Sequence, residues 1–149
     1  MAGRVERIVI APAAGADTVE PESVEALAGR GLAGDRYLLA EPGGDARGNV
    51  TLIERDAFDH LSGFGIDLAE SELRRNLVVT GIELNPLVGR EFLIGEVRCR
   101  ASELCEPCRQ IERATAPGVL KALVERGGIR AEILESGTVS IGDPVVALD

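Results

Sequence analysis

The chain has 149 residues, 45% of them hydrophobic and 28% charged, a size and composition that suit one globular domain with a core of its own. The net charge is −9, from 16 basic and 25 acidic side chains, and aromatics make up only 3% with no Trp. A polyanion such as DNA is repelled overall, and a stacking platform for single strands has no side chains to build it.

Of the basic residues only Lys121 is lysine; the rest are arginine. No stretch approaches the roughly 20 apolar residues needed to cross a membrane. The first residues, Met1-Ala2-Gly3-Arg4-Val5-Glu6-Arg7, have no apolar run behind their charges, so a cytoplasmic location is expected. Three cysteines, an odd number, do not make a disulfide framework and are expected as thiols.

In chain order, residues 5–10 form a β-branched run that predicts a first strand. A loop follows over 11–15, and residues 24–27 suit either a strand or a helical turn after Pro21. Then comes Gly29-Arg30-Gly31-Leu32-Ala33-Gly34-Asp35-Arg36-Tyr37, whose glycines open backbone angles closed to other residues. Residues 41–48 read as a loop and Val50-Thr51-Leu52-Ile53 as a strand. Ala57, Phe58 and Leu61 have helical spacing, and a second short helix is expected near Asp67.

Asn76-Leu77-Val78-Val79-Thr80 predicts a strand, and residues 92–94 and 97–101 predict a pair turned at Gly95-Glu96. A short helix is expected to open at Pro107, and a further one over 117–126, closed by Gly127-Gly128. Residues 129–134 alternate as a half-buried strand does. Residues 138–141 and 145–148 flank the turn signal Gly142-Asp143-Pro144. Many short strands with glycine-rich turns and a few short helices point to a mainly β architecture, a barrel or a relative of one, in a single domain over 1–149.

Cys105-Glu106-Pro107-Cys108-Arg109 is the strongest local chemical signal. A structural zinc site needs four ligands, and the soft candidates are only Cys99, Cys105, Cys108 and a distant His60. A thioredoxin-like pair sits in a βαβ setting that is missing here. A single reactive thiolate is the third reading, favoured at Cys108 by the adjacent Pro107 and Arg109. Two ordinary buried thiols are the fourth.

Leu73-Arg74-Arg75-Asn76 sets two guanidinium forks and an amide at the mouth of a strand, a match for phosphate oxygens or simply a solvated strand end. Gly34-Asp35-Arg36 is either an anion-facing loop or a capped turn. With His60 the only histidine there is no Ser-His-Asp set, and no Gly-Lys-Ser/Thr follows the glycine-rich loop.

Taken together, the segments resemble the MOSC family, named for the C-terminal domain of molybdenum cofactor sulfurase. The resemblance runs from about Gly29 to the C-terminus. It is carried by Gly31-Leu32-Ala33-Gly34-Asp35-Arg36-Tyr37, Gly48-Asn49-Val50-Thr51-Leu52-Ile53 and Arg74-Arg75-Asn76-Leu77-Val78-Val79. Leu87-Val88-Gly89, Ile94-Gly95, Pro107-Cys108, Arg126-Gly127-Gly128-Ile129-Arg130-Ala131 and Gly137-Thr138-Val139-Ser140-Ile141-Gly142-Asp143-Pro144-Val145 complete it.

The resemblance implies a β-barrel with a few short helices and a cleft for molybdenum cofactor, a pterin dithiolene with a phosphate tail. In the amidoxime-reducing relatives the cysteine matching Cys108 ligates molybdenum, as a soft thiolate suits. The resemblance maps the cofactor-contacting Arg-x-Asn segment onto Arg74 and Asn76, and the Gly-Asp-Arg signature onto Asp35 and Arg36; Arg75 stands where other members vary and, with Arg109 beside the thiol, joins the expected cofactor-binding set through its charge. Tyr37 stands where many members have His, and the reductase relatives carry an N-terminal β-barrel without counterpart in these residues.

Three functions follow. One is a molybdenum-dependent reductase of N-hydroxylated compounds acting on a small molecule. Its electrons come from a separate redox partner, since no dinucleotide fingerprint or iron–sulfur cysteine set is present. Another is a sulfur carrier, with a Cys108 persulfide passed to an acceptor. The last is a cofactor-binding module without turnover. Pyridoxal phosphate is disfavoured, because its Schiff base would fall to Lys121 in an ordinary amphipathic segment. Nucleic acid and membrane partners are not expected.

Overall fold

The computed structural model describes residues 2–42, 49–107 and 109–148. Cys108 and Gly48 therefore lie outside the described residues.

Seven strands close a barrel in the order β1-β10-β6-β7-β8-β4-β5. They are β1 (Gly3–Ile8), β4 (Val50–Glu54), β5 (Leu77–Thr80), β6 (Glu91–Ile94), β7 (Val97–Leu104), β8 (Ile129–Glu135) and β10 (Pro144–Ala147). Three more, β2 (Ser23–Leu27), β3 (Gly31–Leu32) and β9 (Gly137–Ser140), form a separate sheet in the order β3-β2-β9. The mainly β architecture expected from the sequence is the one observed.

Every barrel pairing is antiparallel except β4 with β5, which run parallel and are linked through α1 (Asp56–Gly63). That pair is buried on both faces. Leu52, Leu77 and Val79 point into the barrel with Phe92, Ile94 and Ile133. Ile53 and Val78 point outward, into a second cluster with Phe58, Leu61, Val119 and Leu123. A strand covered on both sides needs an unbroken apolar run, and Leu77-Val78-Val79 supplies one. Helix α1 covers this outer face with Ala57, Phe58 and Leu61, the residues whose spacing predicted it.

The expected hairpin is present: Ile94 pairs with Val97 across Gly95-Glu96, with Gly95 at φ 57°. Several boundaries differ from the sequence reading. Strand β1 ends at Ile8, and Ile10 makes only an isolated bridge to Val19. Residues 24–27 are strand, not a helical turn. No helix forms near Asp67, where the chain runs through turns. Helix α2 spans Arg109–Ala114, and the helix expected over 117–126 shrinks to α3, Val119–Ala122. Gly142-Asp143-Pro144 joins strands of two different sheets rather than a hairpin, since β9 pairs with β2 and β10 with β1 and β6.

Candidate functional site

A cleft of about 420 Å³ opens at one end of the barrel. Its walls come from the segments after β1, β3 and β7, from the residues leading into β5, and from the beginnings of β4 and β8. Asp35, Arg36, Arg74, Arg75 and Asn76, predicted separately from sequence, all line it. Cys105, Glu106, Gln110 and Ile111 line it too, so the sequence neighbours of Cys108 on both sides border the cleft. Arg109, at the start of α2, is exposed and is not among the described residues lining it.

The predicted polar residues divide by what they already hold. Asp35 is buried, and its carboxylate accepts the N–H of Ala11 at 3.1 Å and of Tyr37 at 3.4 Å. It is the staple between the segment after β1 and the Asp35–Tyr37 turn, so its charge is spent on the backbone.

Asn76 is buried as well. Its amide oxygen accepts from the Thr51 N–H at 3.0 Å and the Thr51 hydroxyl at 3.2 Å, while its Nδ2 donates to the Val9 carbonyl at 3.1 Å. It thereby joins β4, β5 and the end of β1 at the floor of the cleft.

Arg75, also buried, donates from Nε to the Gly127 carbonyl at 2.8 Å and from Nη2 to the Cys105 carbonyl at 3.1 Å.

The more accessible cations lie around the rim. Arg36 is exposed and sits over the Tyr37 ring, 4.5 Å from its centroid, where the guanidinium also meets the phenol oxygen. Arg74 is half-buried and holds the opposite loop, donating to the Ala16 carbonyl at 2.6 Å and the Ala13 carbonyl at 3.4 Å. It does so from a left-handed backbone, φ 58°, which only glycine adopts without cost.

Arg130 is a lining residue that the sequence reading did not assign. It lies on β8 opposite Thr51 and Glu103 and is exposed. Its signal was in the alternation of residues 129–134, which turns it away from the core and out at the strand's first residues.

The two described thiols are both buried. Cys99 faces the barrel interior, and desolvation pushes its pKa up to about 12. It is a small core group and not a reactive one. Cys105 is tied by its backbone, with its N–H on the Gly128 carbonyl at 2.8 Å. Among the described residues no group of three or more His, Cys, Asp and Glu converges as a metal site would require.

Comparison with known proteins gives the following. A family model, that of the MOSC domain, matches residues 42–146. No curated protein matches the sequence. Among solved structures, the YUAD protein from Bacillus subtilis superposes with a TM-score of 0.83 at 17% identity, covering 97% of this chain and 94% of that one. YiiM from Geobacillus stearothermophilus gives 0.70 at 15% identity, over 99% of this chain and 75% of that one. YiiM from Escherichia coli gives 0.70 at 19% identity, over 98% and 70%. At these identities the structural likeness establishes the shared fold.

Proposed function

The chain belongs to the MOSC domain family, and from that premise we propose that its cleft holds molybdenum cofactor for the reduction of N-hydroxylated compounds, with Cys108 as the thiolate ligand. One observation carries the reading. Six segments remote in sequence converge on a single cleft in which Arg36, Arg74, Arg75 and Arg130 outnumber Asp35, Glu72 and Glu106, on a chain whose net charge is −9. Guanidinium groups gathered against the overall charge of the protein suit a phosphate-bearing ligand. The volume is that of a small-molecule or cofactor pocket.

The donor set fits this group in particular. A pterin dithiolene brings its own sulfur ligands to the metal, so the protein owes one thiolate and not a cage. Cys108 lies in sequence between cleft-lining Glu106 and Gln110. When bound, the cofactor supplies two-electron chemistry at a metal. The residues of the chain would bind and orient it: Arg36, Arg74 and Arg130 would meet the anionic tail, while Asp35, Asn76 and Arg75 hold the backbone that shapes the cleft. The net reaction takes two electrons and two protons, breaks the N–O bond of the substrate and releases its oxygen as water. A separate redox partner delivers the electrons.

The test compares the parent with Cys108→Ala, Cys105→Ala and Cys99→Ala, all made in a molybdenum-replete host. The expected result is loss of bound molybdenum and of N-hydroxy reduction in Cys108→Ala alone. Molybdenum retained at parental level by Cys108→Ala sinks the ligand assignment. Labile sulfane sulfur on Cys108 without bound molybdenum or pterin replaces the reductase by a sulfur carrier.

A further inference from the structure

Among the described residues, four hydrogen bonds dock the segment that leads into Cys108 on the turn before β8. The Cys105 N–H donates to the Gly128 carbonyl at 2.8 Å. Arg75 donates to the Cys105 carbonyl at 3.1 Å and to the Gly127 carbonyl at 2.8 Å. On the far side, the Glu106 carboxylate accepts the Glu125 N–H at 3.0 Å and 3.2 Å from its two oxygens, a single donor shared between them. Glu125 has a left-handed backbone, φ 62°, an arrangement that this carboxylate helps to hold.

The fit is close enough to demand glycine. A Cβ on Gly127 would stand 2.2 Å from the Cys105 carbonyl oxygen and 3.2 Å from Cδ of Pro107. Pro107 itself is buried.

From this we propose that Arg75 is a positioning residue rather than a cofactor ligand: its planar fork bolts the Cys105–Pro107 segment, which precedes Cys108 in sequence, to the Gly127–Gly128 turn. The fork is essential to the argument. Nε and Nη2 of one guanidinium reach two carbonyls from two chain segments at once, whereas the three N–H groups of a lysine radiate from one nitrogen and do not reproduce that spread. Both acceptors are backbone atoms and Arg75 is buried, so the bond pair lies in a low-dielectric setting where a charged donor counts most. The inference rests on the proposed function only for the identity of the reactive thiol; the clamp is independent of any bound group.

The experiment uses the full chain without added cofactor, as wild type, Arg75→Lys and Arg75→Met. An Ile53→Val control, in the second core cluster, reports on general loss of stability. Two readouts are taken. The first is residue-resolved amide exchange. In both Arg75 variants, protection at Cys105 and Glu125 should fall by about tenfold or more, as expected when a bond from a charged donor is lost, while β6 and β10 keep theirs.

The second is the alkylation rate of Cys108, located by fragmentation of the tryptic peptide 101–109. In wild type it should differ from that of the free peptide, and in both Arg75 variants it should move toward the free-peptide rate. The control should show neither change.

Wild-type exchange and alkylation in Arg75→Lys overturn the clamp, since then charge alone suffices. So does a wild-type Cys108 that already reacts like the free peptide. If the clamp behaves as described but Cys108→Ala keeps its molybdenum, the proposed function fails and the positioning role stands.

Discussion

Asn76 and Thr51 are joined by three hydrogen bonds across the parallel β4–β5 pair: the Asn76 N–H reaches the Thr51 hydroxyl at 2.9 Å, and the Asn76 amide oxygen takes the Thr51 N–H at 3.0 Å and its hydroxyl at 3.2 Å. The same side chain's Nδ2 closes on the Val9 carbonyl. One buried amide therefore satisfies a backbone N–H on β4 and a backbone carbonyl just past β1, and ties both to the entry of β5 at the cleft floor.

Removing that amide should be expensive. Asn76→Ala strands the buried Val9 carbonyl and takes the acceptor from the half-buried Thr51 N–H, and a cost of about 2 kcal/mol is expected. Asn76→Asp keeps the acceptor but turns a second oxygen toward the Val9 carbonyl, so it should also destabilise. Urea denaturation measures both; a midpoint shift equivalent to less than about 1 kcal/mol for Asn76→Ala would show the network to be replaceable by solvent.

Glycine contrasts give a sharper structural test. A Cβ on Gly128 would lie 1.9 Å from the Leu52 carbonyl oxygen, at φ +93°. Gly15, at φ +74°, has nothing within 4 Å of its own. Gly128→Ala is expected to cost about 4 kcal/mol or more, through clash and strain together. Gly15→Ala should cost only the backbone term, about 1 kcal/mol. Similar melting temperatures for the two variants would contradict the close docking of the turn before β8 on β4.

Cys99 sets an alkaline limit. Its thiol titrates from 9.0 in the unfolded chain to about 12 in the barrel, because burial disfavours the thiolate. The folded state therefore binds the proton more tightly, and stability falls as pH rises. The contribution is fully present below pH 9 and is lost between there and about 12, about 4 kcal/mol in all. Denaturation midpoints at pH 8, 9 and 10 should decline more steeply in wild type than in Cys99→Ala. Parallel slopes would mean that Cys99 is not the titrating group.

The barrel was legible because its signals are local. Alternation over 129–134 became β8, whose buried residues Ile129, Ala131 and Ile133 face inward. The apolar run after Asn76 became a strand covered on both faces.

The 117–126 helix was over-read because tertiary contacts claimed its ends. Gly118 enters with φ 93°, and the Glu125 backbone is taken by Glu106 and by the Asn85 side chain. Of the apolar residues in that span, Val119 and Leu123 are buried while Val124 is 56% exposed.

At the site, the polar residue types were readable and their commitments were not. The backbone partners of Arg75 lie 30 and 52 residues away and those of Asn76 25 and 67, so sequence spacing could not show that both serve the backbone before any ligand.

Arg74 separates binding from folding most cleanly. Its backbone is left-handed, φ 58°, where a side chain costs about 1 kcal/mol and glycine costs little. Its guanidinium offsets this by holding the Ala13 and Ala16 carbonyls at the cleft rim, bonds that are partly open to water. Arg74→Gly removes the cation and the strain together, so the net change in stability should stay within about 1 kcal/mol.

Arg74→Ala removes the cation and keeps the strain, and should be the less stable of the two. Both should lose anion binding alike, because the lost group is the same. Arg36→Ala and Arg130→Ala, at exposed positions, should change stability by no more than about 0.5 kcal/mol and weaken retention of pterin phosphate, most at low salt and less as salt screens the contact. The measurement is pterin retained after gel filtration at two salt concentrations, alongside thermal melts. Full retention by Arg74→Gly at both salts would remove Arg74 from the binding set and leave it as a strut for the 13–16 loop.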